Sequence, residues 1–188
     1  MNVPRQDTDR ALSNPAGEAK ASADAYIAAL LSLLGDRDPV ETMNALPAQL
    51  SKLTGDLTDD ALRAPEAEGK WSVLDAVQHL ADSELVLGFR MRMVLAHDEP
   101  ELQGFDQHLW SVKLRYRERA IAAALEEFEN LRAANLRLAA MLGPEELERF
   151  GWHSERGRES VRRMLELAAG HGIAHVRQIE RIRRAIGA

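Results

Sequence analysis

The chain has 188 residues, long enough to bury one substantial core and short for two independent ones. Thirty acidic residues face twenty-four lysines and arginines, for a formal net charge of −6, and 45% of residues are hydrophobic, the balance of an ordinary acidic globular protein. There is no cysteine, which excludes disulfides, thiolate metal ligands and a nucleophilic thiol of the chain's own; any thiol chemistry needs a thiol from outside.

Met1 to Ala21 is polar, carries Pro4, Pro15 and Gly17, and lacks the apolar stretch of a signal peptide. No later run is long enough to cross a membrane without charge, so a cytoplasmic protein is expected. Residues 1–20 are expected to form a flexible segment, and residues 21–188 a single helical domain.

Apolar residues recur at three-and-four spacing through most of the chain, and strand-like alternation is absent, which predicts an all-α fold with four long helices and some short ones. The first runs from about Ala21 to Leu34, with Tyr26, Ile27, Leu30, Leu31 and Leu34 on one side, and stops at Gly35. Asp38-Pro39-Val40-Glu41 supplies an N-cap, a proline at the first helical position and a capping acid for a second helix to about Leu53. Thr58 caps one short turn, and Pro65 and Gly69 mark an irregular connection. Ser72, with Asp75 three residues on, starts a helix from Val73 to about Ala96. Asp98-Glu-Pro100 turns the chain, and Phe105 to Trp110 precedes a long helical stretch ending near Leu142, before the stop signal Gly143-Pro144. A helical turn near Glu145 to Arg149 leads into a loop from Gly151 to Gly157, and Ser160 caps the final helix. There Val161, Leu165, Ala168, Gly172, His175, Ile179, Ile182 and Ile186 form a core-facing stripe. The arginines from Arg149 onward are interleaved with Glu155, Glu159, Glu166 and Glu180, so they read as a solvated face rather than a nucleic-acid surface.

His171 and His175 stand four residues apart on that last helix, so both rings project from one side, one turn apart, and can share one metal ion. Burying two imidazoles without partners costs roughly a few kcal/mol, which puts a ligand role on an even footing with a packing role for this pair alone. The flanking Gly170 and Gly172 each cost about 1 kcal/mol relative to alanine in a helix. They imply either close approach of another helix or ligand, or a break between two shorter helices. A catalytic zinc-type centre takes three protein ligands and leaves one position open. Among the other histidines, His97 is expected in solvent and His108 and His153 in loops or near helix starts. His79 lies mid-helix, with Asp75 and Asp82 spaced so that either could hold its second nitrogen, and it is the third ligand of choice. Gln178 shares the ligand side of its helix and could hold a ligand ring or touch substrate.

Lys70-Trp-Ser-Val-Leu-Asp-Ala-Val-Gln-His79-Leu-Ala-Asp-Ser-Glu84, and later Leu167-Ala-Ala-Gly-His171-Gly-Ile-Ala-His175-Val-Arg-Gln178-Ile, resemble the DinB/YfiT-like metalloenzyme superfamily. Phe105-Asp106, Leu131-Arg-Ala-Ala-Asn135-Leu and the segment from His153 to Gly157 fit it as well, so the resemblance extends over most of the chain from about Asp38. It implies a four-helix bundle of up-down-down-up order, a homodimer, and a divalent metal (zinc, nickel or iron) held by His79, His171 and His175. The helix from Ala21 to Leu34 falls outside the common motif.

The reading that follows is a metal-dependent enzyme acting on a small molecule, with the ion favouring a deprotonated nucleophile. A low-molecular-weight thiol as nucleophile would make it an S-transferase, and water a hydrolase. Asp106, Trp110, His153 and Gln178 are candidates for the substrate pocket, while no catalytic base is evident, since Glu84 lies off the His79 side of its helix. The alternative is a non-catalytic, metal-stabilised helical dimer acting as a binding module.

Overall fold

A computed structural model describes residues 21–188; the expected flexible segment 1–20 lies outside the described residues. In chain order the helices are α1 (Ala21–Leu34), α2 (Pro39–Thr54), α3 (Asp59–Arg63), α4 (Val73–Ala96), α5 (Gln107–Lys113), α6 (Ile121–Ala139), α7 (Pro144–Glu148) and α8 (Val161–Ile186). A 3₁₀ turn spans Tyr116–Glu118, and three short strands are β1 (Glu101–Leu102), β2 (Phe150–His153) and β3 (Gly157–Ser160). The starts follow the caps in the sequence. Asp38 accepts from the Glu41 amide, Ser72 and Asp75 close a reciprocal capping box, and Ser160 accepts from the Arg163 amide.

α2, α4, α6 and α8 form a four-helix bundle, with α1 as an additional helix packed on α8. Helix directions follow from which residues meet. Gln78 meets Glu127 and Glu84 meets Arg132 and Asn135, so α4 and α6 are parallel. The start of α4, Leu74 and Val77, shares a core group with the end of α8, Ile179 and Ile182, and the end of α4, Met91 and Val94, shares one with the start of α8, Val161 and Leu165, so α4 and α8 are antiparallel. Gly172 lies against Leu46 and Arg183 reaches the Leu53 carbonyl, so α2 and α8 are parallel. The order is therefore up-down-down-up. Two consecutive parallel helices need a connection that returns the length of the bundle, and residues 97–120 provide it.

That return differs from the uninterrupted helical stretch expected after Trp110. The chain leaves α5 at Leu114, Arg115 turns into the left-handed region at φ 53°, and α6 starts only at Ile121. No glycine or proline marks the break. Tertiary contacts make it: buried Tyr116 donates its hydroxyl to Asp82, and Arg63 donates to the carbonyls of Arg117 and Arg119. The expected loop from Gly151 to Gly157 is instead a hairpin. β2 pairs antiparallel with β3 and parallel with β1, and Gly157 takes φ 74° at the turn. Strands of two to four residues are too short to show alternation in sequence.

The apolar core falls into two main groups along the bundle. One holds Leu50, Leu74, Val77, Phe128, Ile179 and Ile182; the other holds Met43, Met91, Val94, Leu102, Val161 and Leu165. α8 is unbroken through both glycines. A Cβ on Gly170 would stand 2.3 Å from the Leu30 carbonyl oxygen and one on Gly172 2.6 Å from a Leu46 methyl, so close approach of α1 and α2 explains both. α8 thus buries a second side, through Leu167, Gly170 and Ala174, that the single predicted stripe omits. Among the described residues no helix is long and apolar enough to cross a membrane.

Candidate metal centre and adjoining cavity

His79 on α4 and His171 and His175 on α8 meet between the two core groups. Nε2 of His171 lies 3.1 Å from Nε2 of His79 and 2.9 Å from Nε2 of His175, and one nitrogen from each ring falls within 4.8 Å of the others. Burial holds the imidazoles of His79 and His171 well below their ordinary pKa, with neighbouring rings of the cluster adding to the shift. It takes His175 down to about 4, against the opposing pull of Gln178. All three are neutral at physiological pH and can offer lone pairs.

The chemistry of this donor set fits a cation. Nδ1 of His175 donates to Gln178 Oε1 at 2.7 Å, which leaves its Nε2 as an acceptor aimed at the cluster. His171 has a single Nε2 for two neighbours, so one proton there can satisfy only one of them and the other ring nitrogen is left without a donor from His171. Three nitrogens bound tetrahedrally to one zinc-type ion at about 2.0–2.1 Å stand roughly 3.3 Å apart, close to the spacing of the bonded pairs. The expected carboxylate partner of His79 is not found. Asp75 turns back to the Ser72 cap and accepts from Arg117, Asp82 accepts from Tyr116, and Nδ1 of His79 is buried with no hydrogen-bond partner among the described residues. Trp71 packs beside His79, with ring centroids 4.9 Å apart.

A cavity of about 370 Å³ opens from His79 and His171. Its α4 wall is Ser83, Val86, Leu87 and Arg90, which recur at helical spacing from His79, together with Glu84, which was expected off that side and yet reaches the cavity. The expected substrate residues separate into two groups. Asp106 and His153 line the cavity, the first while capping α5 through the Leu109 amide, the second as a buried residue of β2. Trp110 and Gln178 do not line it: Trp110 packs on the cavity residue Phe105 at 4.6 Å between centroids, and Gln178 stands behind His175. His97 and His108 are exposed.

Two contributors were absent from the sequence reading. α1 supplies Tyr26, Ile27 and Leu30 to the cavity wall, which gives the additional helix a place beside the site. Arg90 follows His79 by eleven residues, close to three full helical turns, and that spacing was the available signal. Glu84 faces the cavity but is engaged by Arg132 at 2.9 Å and Asn135 at 3.0 Å; burial raises its carboxyl while Arg132 draws it back. Several of the C-terminal arginines are committed to acids, Arg156 to Glu159, Arg162 to Glu148, Arg181 to Glu66 and Arg183 to Asp56.

A sequence model described as the DinB superfamily matches residues 42–179. A protein of Oceanobacillus iheyensis named "Putative metal-dependent hydrolase" is 26% identical over 140 residues, 74% of this chain and 81% of the relative. One of Bacillus cereus with the same name is 26% identical over 147 residues, 78% of this chain and 84% of that one. Among solved structures, YfiT from Bacillus subtilis, described as a probable metal-dependent hydrolase with an unusual four-helix bundle topology, matches with a TM-score of 0.75 at 22% identity. The match covers 93% of each chain and shows a shared fold.

Proposed function

Given that this chain belongs to the DinB superfamily, we propose that it is a metal-dependent hydrolase of small molecules whose divalent ion is held by His79, His171 and His175. The observation that carries the reading is the convergence of three neutral imidazole nitrogens, from two helices, at the wall of a cavity. The names of the relatives in Oceanobacillus and Bacillus support the same class.

The residues divide the work. Gln178 fixes the tautomer and orientation of His175, so that Nε2 is presented as a lone pair. The Ser83 hydroxyl, 3.4 Å from His79 Nε2, is placed to orient a polar group of the substrate beside the cluster. Tyr26, Ile27, Leu30, Phe105 and Leu87 exclude water from the apolar part of the cavity. When bound, the divalent ion supplies Lewis acidity that favours the deprotonated form of a nucleophile, water for hydrolysis or an external low-molecular-weight thiol for transfer.

The test combines elemental analysis of protein purified without an affinity tag with turnover of a panel of esters and amides, each with and without added thiol. One metal per chain and metal-dependent ester or amide cleavage without thiol is the expected result. Turnover only with thiol would move the activity to an S-transferase, and metal without any turnover would favour a binding module. His175→Ala should remove metal and activity while keeping the helical circular dichroism. Full activity in a metal-free variant would overturn the proposal.

A further inference from the structure

Two residues of the cavity wall, Arg90 and His153, each keep a buried donor with no acceptor among the described residues. Arg90 is 8% exposed and His153 3% exposed, and both line the same cavity as His79 and His171. Arg90 Nη2 donates to the Gln103 carbonyl, which anchors the guanidinium, but its Nε has no acceptor among the described residues. On His153, Nδ1 accepts from the backbone amides of Glu155 at 3.1 Å and Arg156 at 3.3 Å, so the ring proton sits on Nε2. That Nε2 is also buried without an acceptor among the described residues. Leaving a buried donor unpaired is costly, more so when the group is charged, and a native fold that keeps two in one cavity has a use for them.

We infer that Arg90 and His153 form an anion subsite for a carboxylate of the substrate, in the cavity that opens from the histidine cluster. The subsite itself is independent of the metal; naming its ligand a substrate rests on the proposed function. The carboxylates already on the wall, Asp106, Glu155 and Glu159 among them, disfavour a second negative charge, so the subsite suits a monoanion. Arg156 is matched by Glu159 through two hydrogen bonds at 2.7 and 2.9 Å, whereas Arg90, which feels Glu159 and Glu155 from further away, has no carboxylate at ion-pair distance among the described residues. Burial and the nearby Arg156 disfavour the charge of Arg90, a cost an anion in contact with it relieves, while Glu159 and Glu155 act the other way. Part of the wall is apolar, through Tyr26, Ile27, Leu30 and Phe105, and a cavity of about 370 Å³ suits a small acid with an apolar body.

Benzoate, its neutral isostere benzamide and the dianion phenyl phosphate are the probes, titrated by calorimetry into the full chain stripped of metal, where no ion can bind the carboxylate. Benzoate is expected to bind at least tenfold more tightly than either. Arg90→Gln, and His153→Asn, which keeps an acceptor for the turn amides but lacks the Nε2 donor, should each weaken benzoate at least tenfold. Both should retain wild-type helicity and metal uptake. Equal affinity for benzoate and benzamide, or no binding of either, overturns the subsite even if a variant fails to fold. Tighter binding of phenyl phosphate overturns the monoanion assignment. Metal titration of the same samples separates the two readings: benzoate binding without metal uptake would keep the subsite and sink the metal-dependent hydrolase.

Discussion

The two seams that α4 makes with its neighbours bury polar groups in opposite ways. Toward α6, Glu84 accepts from Arg132 and Asn135, and Gln78 donates to Glu127, so the buried carboxylate and guanidinium are paired and their charges cancel, although Gln78 Oε1 and Arg132 Nε keep no partner among the described residues. Toward α8, three neutral imidazoles present acceptors to one another, and the cavity beyond them holds the unpaired donors of Arg90 and His153. A charge-paired seam fixes the register of two parallel helices and has no net charge left to attract an ion. A mismatched seam costs stability and gains it back when a cation or an anion arrives.

The largest break of this contrast is Arg132→Ala. It strands the Glu84 carboxylate in the core and removes the donor to the Met43 carbonyl, for an expected loss of about 3–5 kcal/mol in urea unfolding. Replacing both partners together, with Glu84→Leu and Arg132→Met, should recover most of that loss, because no buried charge is left alone.

The next is acid. The buried His153 titrates at about 4 in the fold, through desolvation and the nearby Arg156 and Arg90, against an ordinary value of 6.5. A lowered histidine pKa means that the unfolded chain takes up protons first. The stability it allows is fully present above about pH 6.5 and is lost as pH falls through about 4, by roughly 2–3 kcal/mol. His153→Asn should flatten that part of the pH profile of the metal-free protein, measured by denaturant midpoints. An unchanged slope would mean that His153 is not buried as described.

A crossed pair sharpens the comparison. Gln178→Leu should weaken metal binding about ten- to a hundredfold and leave unfolding of the metal-free chain nearly unchanged. Asn135→Leu should do the reverse, costing about 1–3 kcal/mol by removing a donor from Glu84 while metal affinity stays put. If both variants moved both quantities equally, the division between the seams would fail.

The smallest effects concern the glycines on either side of His171. Gly170→Ala meets a backbone carbonyl and should destabilise by about 1–3 kcal/mol, lifting α1 from the cavity wall. Gly172→Ala meets the tip of Leu46, which can swing aside, so the gain in helix propensity should hold the net change within about 1 kcal/mol. Thermal unfolding of the two variants side by side reads the difference.

Much of the bundle was legible because its signals are local. Caps at Asp38, Ser72 and Ser160 start helices where the structure has them, and three-and-four periodicity marks their buried sides. The pairing of His171 with His175 is likewise local, since four residues on a helix place two rings together whatever the rest of the fold does. The choice of His79 drew on its mid-helix position and on the family resemblance, and its distance from His171 became measurable only once α4 and α8 were packed. The break at Leu114 to Ala120 was invisible because it is made by Tyr116, Asp82 and Arg63, residues brought together from three parts of the chain. The hairpin at β2 and β3 was missed because its strands are too short to carry a pattern.

What the sequence by itself determined is the set of helices, their caps and the one-turn spacing of a potential ligand pair, because each depends on residues within a few turns of one another. Tertiary structure decided which groups ended without partners. Asp75 and Asp82 were available to His79 by spacing but were taken by Ser72, Arg117 and Tyr116, whereas Arg90 and His153, 63 residues apart by their numbers, came to line one cavity with unmet donors. Hydrogen-bond satisfaction is a property of the whole packed chain, so the unmet groups that mark a candidate site appear only after every competing partner has been placed.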